Sequence, residues 1–307
     1  MKTFQEIVRA VQQHPPRTLA TPKPEEAIVI TAIDEAYQLG LVKPILIGDP
    51  AKIASAAEAA DVDTSPFEII DEPDPVAACN LAVTMVCQGR VQMLSKGSVD
   101  TKVIMHAVVG DHRMRAGGLM SHVAIVQSAR YDRLFFVSDG GINISPSVEE
   151  KADIIRNAVW VAHQLEVPEP RVAILAAVEK VNEKIAATVD ADRLVREYTF
   201  PGAIVSGPMA PDSAVDFDVA AIKGLGEDPV AGRADILICP DINSCNMMVR
   251  AMLYFGDATW GGIVAGAKAP IVLTSRADTD PAMRVNSIAV AAYVGIRQAS
   301  GTLSASA

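Results

Sequence analysis

Near its C-terminal end the chain carries a short apolar run, Ile271-Val-Leu273, followed by Thr274, Ser275, Arg276, Asp278 and Asp280. Pro281 and a new apolar periodicity then announce a helix. A hydroxyl beside a guanidinium suits an anion: the guanidinium offers a rigid fork of donors to phosphate or to a developing oxyanion. In an open α/β sheet, ligands bind at this kind of junction, at the carboxyl end of a strand. A plainer assignment fits the same residues, with Thr274 and Ser275 as turn formers, Arg276 as a solvated charge and Asp280 as a helix N-cap. These residues alone do not choose between the two.

The elements that would position them alternate. Arg17-Thr-Leu-Ala20, Pro44–Gly48, Phe67–Ile70 and Val91–Leu94 read as strands, separated by helices that open at Pro24, Asp49-Pro50 and Asp74-Pro75. Such alternation predicts right-handed βαβ units and a parallel sheet. Leu119–Val126 and Arg133–Val137 read as a hairpin, and Val148–Leu165 as a long amphipathic helix. Arg171–Leu175, Gly202–Ser206 and Ala234–Cys239 resume the strands, Gly261–Gly266 leads into the stretch that begins at Ala269, and Asp280 to about Gln298 is the last helix. Between the halves, Ile104–Gly118 is basic and glycine-containing within an acidic chain, which predicts a functional loop. The strands of the second half end on Asp139 with Asn143, on Asp212, on Asp241 with Asn246, and on Ser275 with Arg276. For Asp212 and Asn243, helix capping is the stronger assignment.

Composition narrows the class. A chain of 307 residues suits two domains better than one. Half of it is hydrophobic but only 5% aromatic, so the core must be aliphatic, as parallel strands covered by helices require. The net charge of −10 argues against a nucleic-acid or membrane-surface binder, though a few Arg and Lys can still line a positive site. Cys79, Cys87, Cys239 and Cys245 form no metal or redox spacing and read as reduced thiols. The N-terminal stretch is an amphipathic helix and not a secretory signal, and no run has transmembrane length. A cytoplasmic protein is expected.

Phosphate-loop, dinucleotide and nucleophile-elbow motifs are absent, and the five histidines show no metal spacing. His122, ahead of an apolar run, is expected as a partly buried structural residue.

The chain resembles the phosphotransacetylase/phosphotransbutyrylase family, more its short butyryl-type branch. The resemblance rests on Pro44–Ile53, Ser121-His-Val-Ala124, Asp139-Gly-Gly-Ile-Asn-Ile-Ser-Pro146, Arg171–Glu179, Gly207-Pro208 with Asp212, Ala234–Asp241 with Asn246, and Pro270–Arg276. It implies an α/β protein of two α/β/α domains with largely parallel sheets and a cleft between them, like isocitrate and isopropylmalate dehydrogenases. Residues 1–117 plus 271–307 would form the first domain, and 118–270 an inserted second one. It implies exchange of a short acyl group between acyl-CoA and inorganic phosphate, by direct transfer in a ternary complex. The chain would be a homodimer or larger homo-oligomer. Coenzyme A would be substrate or product, and no cofactor or metal would be needed. Ser275 and Arg276 match the family's active-site pair. The acetyl-type base falls on Ala282, which leaves Asp278 and Asp280 as the nearest carboxylates, with Asp280 taken as catalytic. Lys96, Arg115, Asp139, Asn143, Asp241, Asn246 and Asp278 are expected to bind substrate. Arg115 matches a family arginine, although the loop around it differs. Cys239 or Cys245 as a covalent acyl carrier is a weaker alternative, since Cys239 falls within a buried strand. Two other readings stand beside the enzyme: a non-catalytic acyl-CoA-binding homologue, and an isocitrate- or isopropylmalate-type dehydrogenase, for which no metal cluster or nicotinamide site is evident.

Overall fold

The computed structural model describes residues 1–274 and 280–301. They divide into two compact units. The flanking unit comprises Thr3–Gly117 and the described residues from Gly261 onward; the central unit comprises Gly118–Trp260 with Met1–Lys2.

The flanking unit opens with α1 (Phe4–Val11), β1 (Arg17–Pro22), α2 (Ala27–Gln38), β2 (Val42–Gly48), α3 (Pro50–Ala60), β3 (Glu68–Asp71), α4 (Pro75–Cys87), β4 (Met93–Ser95) and α5 (Thr101–Gly110). In the central unit follow β5 (Ser121–Gln127), β6 (Phe135–Ser138), α6 (Val148–Gln164), β7 (Arg171–Leu175), α7 (Ala186–Glu197), β8 (Ile204–Met209), the short α8 (Pro211–Val215) and α9 (Phe217–Ile222), β9 (Ile236–Ile238) and α10 (Ile242–Phe255). Then β10 (Thr259–Ala265) returns the chain to the flanking unit, completed by β11 (Ile271–Val272) and α11 (Pro281–Ala299).

Local chemistry explains where helices begin. Asp49 and Asp74 each accept backbone N–H bonds from the first turn of the helix they precede, and the proline after each sits where no N–H is required. Ser147 and Glu150 close a reciprocal capping box at the head of α6.

In the flanking unit the strands run β3-β2-β1-β4-β11-β10. The first five are mutually parallel, and β10 pairs antiparallel with β11. The last four residues of β1 and the last five of β2 are all buried, so both sheet faces are covered. One helix group is α1, α2, α3 and α11; the other is α4 with α5. In the central unit the order is β5-β6-β9-β7-β8, with β5 and β6 forming the expected antiparallel hairpin and the rest parallel.

The stretch Ile104–Gly118 departs from expectation. Its first half is not a loop but most of α5, which buries Ile104, Met105, Ala107 and Val108. Those residues recur at helical spacing, a signal that the neighbouring His, Gly and Arg obscure in the sequence. Only the part after Gly110 is irregular, beginning with a 3-10 turn at His112–Met114.

Candidate active site

In the flanking unit, β1, β4 and β11 are adjacent and end together. Ala20 pairs with Leu94, so Thr21 lies abreast of Ser95, and Val272 pairs with Ser95 on the other side. Just past these ends the chain is tightly locked. The Lys96 N–H donates to the Val272 carbonyl (3.0 Å) and the Ser98 N–H to that of Lys23 (2.7 Å). Gly97 admits no other residue: a Cβ there would stand 2.2 Å from the Pro22 carbonyl oxygen and 2.4 Å from that of Lys23. Lys23 itself holds a left-handed backbone (φ 54°), uncommon for a residue with a side chain. Its ammonium pairs with Glu25 (2.5 Å) and donates to the Pro73 carbonyl (2.8 Å).

Lys96 is buried, and its ammonium donates to the carbonyls of Gly97 (3.3 Å) and Val99 (3.2 Å). Its own carbonyl accepts from Arg284 Nη1 (2.8 Å), a guanidinium buried near the start of α11. Two cationic side chains thus converge on one strand end. Arg115 is exposed, donates to the Val109 carbonyl (3.1 Å), and its backbone bridges to Ala267. Its neighbour Arg113 is occupied instead with Asp111; hydrogen bonds from that guanidinium and from the Arg113 backbone hold the Asp111 carboxyl far below the usual carboxylate range. Asp280 is the N-cap of α11, its Oδ1 accepting from the Ala282 N–H (2.9 Å). Ser275, Arg276 and Asp278 lie outside the described residues.

In the central unit, β6 and β9 are parallel neighbours, and Asp139, Asn143, Asp241 and Asn246 gather where they end. The buried Asp139 carboxylate accepts four N–H bonds, from the backbones of Gly141 (2.8 Å), Ile142 (3.1 Å) and Asn143 (3.2 Å) and from Asn143 Nδ2 (2.7 Å). Asn143 Nδ2 also reaches the Met120 carbonyl (2.9 Å). Asp241 caps α10 in a reciprocal arrangement with Ser244. Asn246 spans the two loops, donating to the Gly140 carbonyl (3.0 Å) and accepting from Arg250 Nε (2.9 Å). The four residues meet, each with its polar atoms engaged in holding the loops.

Two capping assignments change. The cap of α8 is Ala210, and Asp212 is the second residue of the helix, where Lys223 reaches both its oxygens (2.9 Å). The cap of α10 is Asp241, with Asn243 inside the helix. Lys223 also bonds Glu179 (2.8 Å), which accepts from Ser213 Oγ (2.7 Å) as well. Burial alone would raise the Glu179 carboxyl, but the bonds from Lys223 and Ser213 prevail and lower it. Sequence reading missed Glu179 and Lys223 as partners, because 44 residues separate them and no motif links them. It also missed Arg284, although a charge on the apolar face of the last helix was a usable sign.

Cys239 follows β9 rather than lying within it, and it is buried, as is Cys245. A hydrogen bond with Cys239, and then burial, push the Cys245 thiol far up, so it carries no thiolate to act as an acyl acceptor. His122 is buried edge-on to Trp260, ring centroids 5.8 Å apart. Among the described residues no group of three or more His, Cys, Asp or Glu could hold a metal ion, and no helix is long and apolar enough to cross a membrane.

The profile of the family described as "Phosphate acetyl/butaryl transferase" matches residues 74–292. The chain belongs to that family. It is 38% identical over 300 residues to a phosphate butyryltransferase of Clostridium beijerinckii, covering 96% of this chain and 99% of the relative. To a phosphate acetyltransferase of Rhizobium meliloti it is 37% identical over 308 residues, covering 98% and 96%. Among solved structures, a branched-chain phosphotransacylase from Enterococcus faecalis V583 superposes with a TM-score of 0.81 at 25% identity, covering 91% of this chain and 99% of that one. The protein is a phosphate acyltransferase with an α/β fold. These likenesses favour neither the dehydrogenase nor the non-catalytic homologue.

Proposed function

We propose that the chain exchanges a short acyl group between coenzyme A and inorganic phosphate, giving acyl phosphate and free CoA. The observation that carries this reading is the near full-length likeness to phosphate butyryl- and acetyltransferases. The Ser275-Arg276 pair stands directly after the strand end where Lys96 and Arg284 converge. In the acyl phosphate-forming direction a phosphate oxygen attacks the thioester carbonyl, the C–S bond breaks, and CoA leaves as thiolate. Arg276, Arg115 and Lys96 balance the phosphate charge, and Ser275 donates to the oxyanion of the tetrahedral intermediate. No group on the protein needs to carry the acyl chain, which agrees with the protonated state of Cys245. In the reverse direction a base must take the thiol proton. Position 282 is Ala and Asp280 is engaged as a cap, so Asp278 is the better candidate of the two carboxylates.

The same reading gives two α/β/α domains, with an insertion of 118–270 that takes in the central unit (Gly118–Trp260) and the ten residues after it, and the substrates in a cleft between the domains. Asp139, Asn143, Asp241 and Asn246 then shape the central unit's wall of that cleft. It further implies a cytoplasmic homodimer or larger homo-oligomer, with no added cofactor. The test is thiol release from acetyl-, propionyl-, butyryl- and longer acyl-CoAs, with phosphate and then arsenate. Arg276→Ala and Ser275→Ala should each lower kcat about 100-fold or more. A flat blank across the acyl series in the wild-type protein would sink the proposal.

A further inference from the structure

Three hydroxyls at the ends of β1, β4 and β11 have no stated purpose in the acyl transfer. Thr21, Ser95 and Thr274 are all buried, the first two completely, and the side-chain oxygen of each is shut off from solvent without a hydrogen-bond partner among the described residues. A buried hydroxyl normally finds a partner, because leaving one unmatched costs about 1–3 kcal/mol. One such group is a blemish. Three of them on neighbouring strands are a pattern.

Register places them together. Thr21 lies abreast of Ser95, because Ala20 pairs with Leu94 in parallel strands. Ser95 pairs with Val272, and Thr274 follows Val272 by two residues, which in an extended chain keeps it on the same face. Thr21 and Ser95 therefore stand side by side, and Thr274 lies two residues farther along the same face, just past the end of β11. Rigid surroundings hold the three still: Gly97 is wedged against the Pro22 and Lys23 carbonyls, and Arg284 is bonded to the Lys96 carbonyl.

We propose that Thr21, Ser95 and Thr274 form a hydroxyl seat for the inorganic phosphate of the reaction. The inference rests on the acyl transfer proposed above. Hydroxyls donate to a phosphate oxygen without demanding a counter-charge, and so bind the ion while leaving it nucleophilic. A phosphate seated there is stripped of water, which makes each donor count for more and keeps the acyl phosphate product from hydrolysis. The unmatched state of the three oxygens is the cost of keeping donors ready for an anion that comes and goes.

The experiment compares wild type with Thr21→Val, Ser95→Ala and Thr274→Val, each of which removes a hydroxyl at nearly constant volume. Thr21→Ser is the variant that keeps the donor. Two readouts are taken: KM for phosphate and for butyryl-CoA in thiol release, and the rise in melting temperature with added phosphate at constant ionic strength. The seat predicts that each hydroxyl-free variant raises the phosphate KM about tenfold, leaves the butyryl-CoA KM within twofold, and loses most of the phosphate-dependent thermal shift. Thr21→Ser should restore both. An unchanged phosphate KM and thermal shift in all three variants overturns the proposal, whatever happens to stability, and leaves the site as a pocket for buried water. If wild type releases no thiol, the acyl-transfer reading falls while the thermal shift still judges the seat. Absence of any wild-type phosphate shift then overturns the seat as well.

Discussion

The strand ends of the two units treat their polar residues in opposite ways. In the central unit, Asp139 accepts four hydrogen bonds, Asp241 is closed into a capping box, and Asn246 is bonded through both its nitrogen and its oxygen. In the flanking unit, Thr21, Ser95 and Thr274 are buried, and their side-chain oxygens have no partner among the described residues. Saturated groups have spent their capacity on fixing a loop, so their value lies in shape. Unmatched donors cost stability and persist where a ligand needs them. By that measure the polar residues of the central unit fix the shape of their loops, and the hydroxyls of the flanking unit are the ones left for the proposed phosphate.

That contrast can be broken at several points. The largest expected effect is at Gly97, where alanine would drive a Cβ into two backbone carbonyls that cannot yield. Gly97→Ala should cost about 4 kcal/mol or more, read as a collapse in soluble yield or in the denaturation midpoint. Next comes Asp139→Asn, which turns an amide against donors that now meet a carboxylate oxygen. A loss of about 2–4 kcal/mol is expected, with any activity change following the fall in stability. Full stability with abolished turnover would instead make Asp139 a chemical participant and erase the contrast. Asp280→Ala should cost about 1 kcal/mol through the lost cap while kcat survives at neutral pH. A large kcat loss at unchanged stability would return Asp280 to the role of base.

The smallest effect concerns Lys223. Its hydrogen bonds lower the Asp212 carboxyl, and in Glu179 they overcome the opposing effect of burial. Groups whose folded values are depressed add stability above their ordinary values, 3.8 for Asp and 4.5 for Glu, and lose it as pH falls through the folded values. Lys223→Met should therefore be less stable than wild type at pH 7, with the gap closing on acidification. Urea midpoints across an acid series measure it. A gap that stays constant to the lowest pH would mean that Lys223 contributes through packing and not through charge.

Most of the fold was legible because its signals are local. Asp49-Pro50 and Asp74-Pro75 start helices by capping, the apolar runs after them mark strands, and Tyr131-Asp132 sits within the turn of a hairpin that formed as expected. The failure at Ile104–Gly118 was one of competing patterns, since a half-apolar helical period lost to conspicuous basic residues. The site was legible in its parts but not in its division of labour. Asp139, Asn143, Asp241 and Asn246 could be singled out as polar groups at strand ends, but whether a carboxylate is free or saturated depends on backbone N–H groups whose positions exist only after folding. Thr21 and Ser95 were invisible for the converse reason. A small hydroxyl in an apolar strand looks inert until the register sets it beside another and the count of partners comes to none.

The pairing of β4 with β11 also sets an order of assembly. Leu94 is made early, but its neighbour Ile271 follows only after the whole central unit has been made, and Arg284 later still. Every strand of the central unit is drawn from one uninterrupted stretch, Gly118–Trp260, so that sheet can close during synthesis. The flanking sheet must hold β4 open as an edge until the chain returns from the central unit. A nascent protein stalled before residue 271 would carry a finished central unit and a flanking unit with no Ser275 or Arg276 to work with.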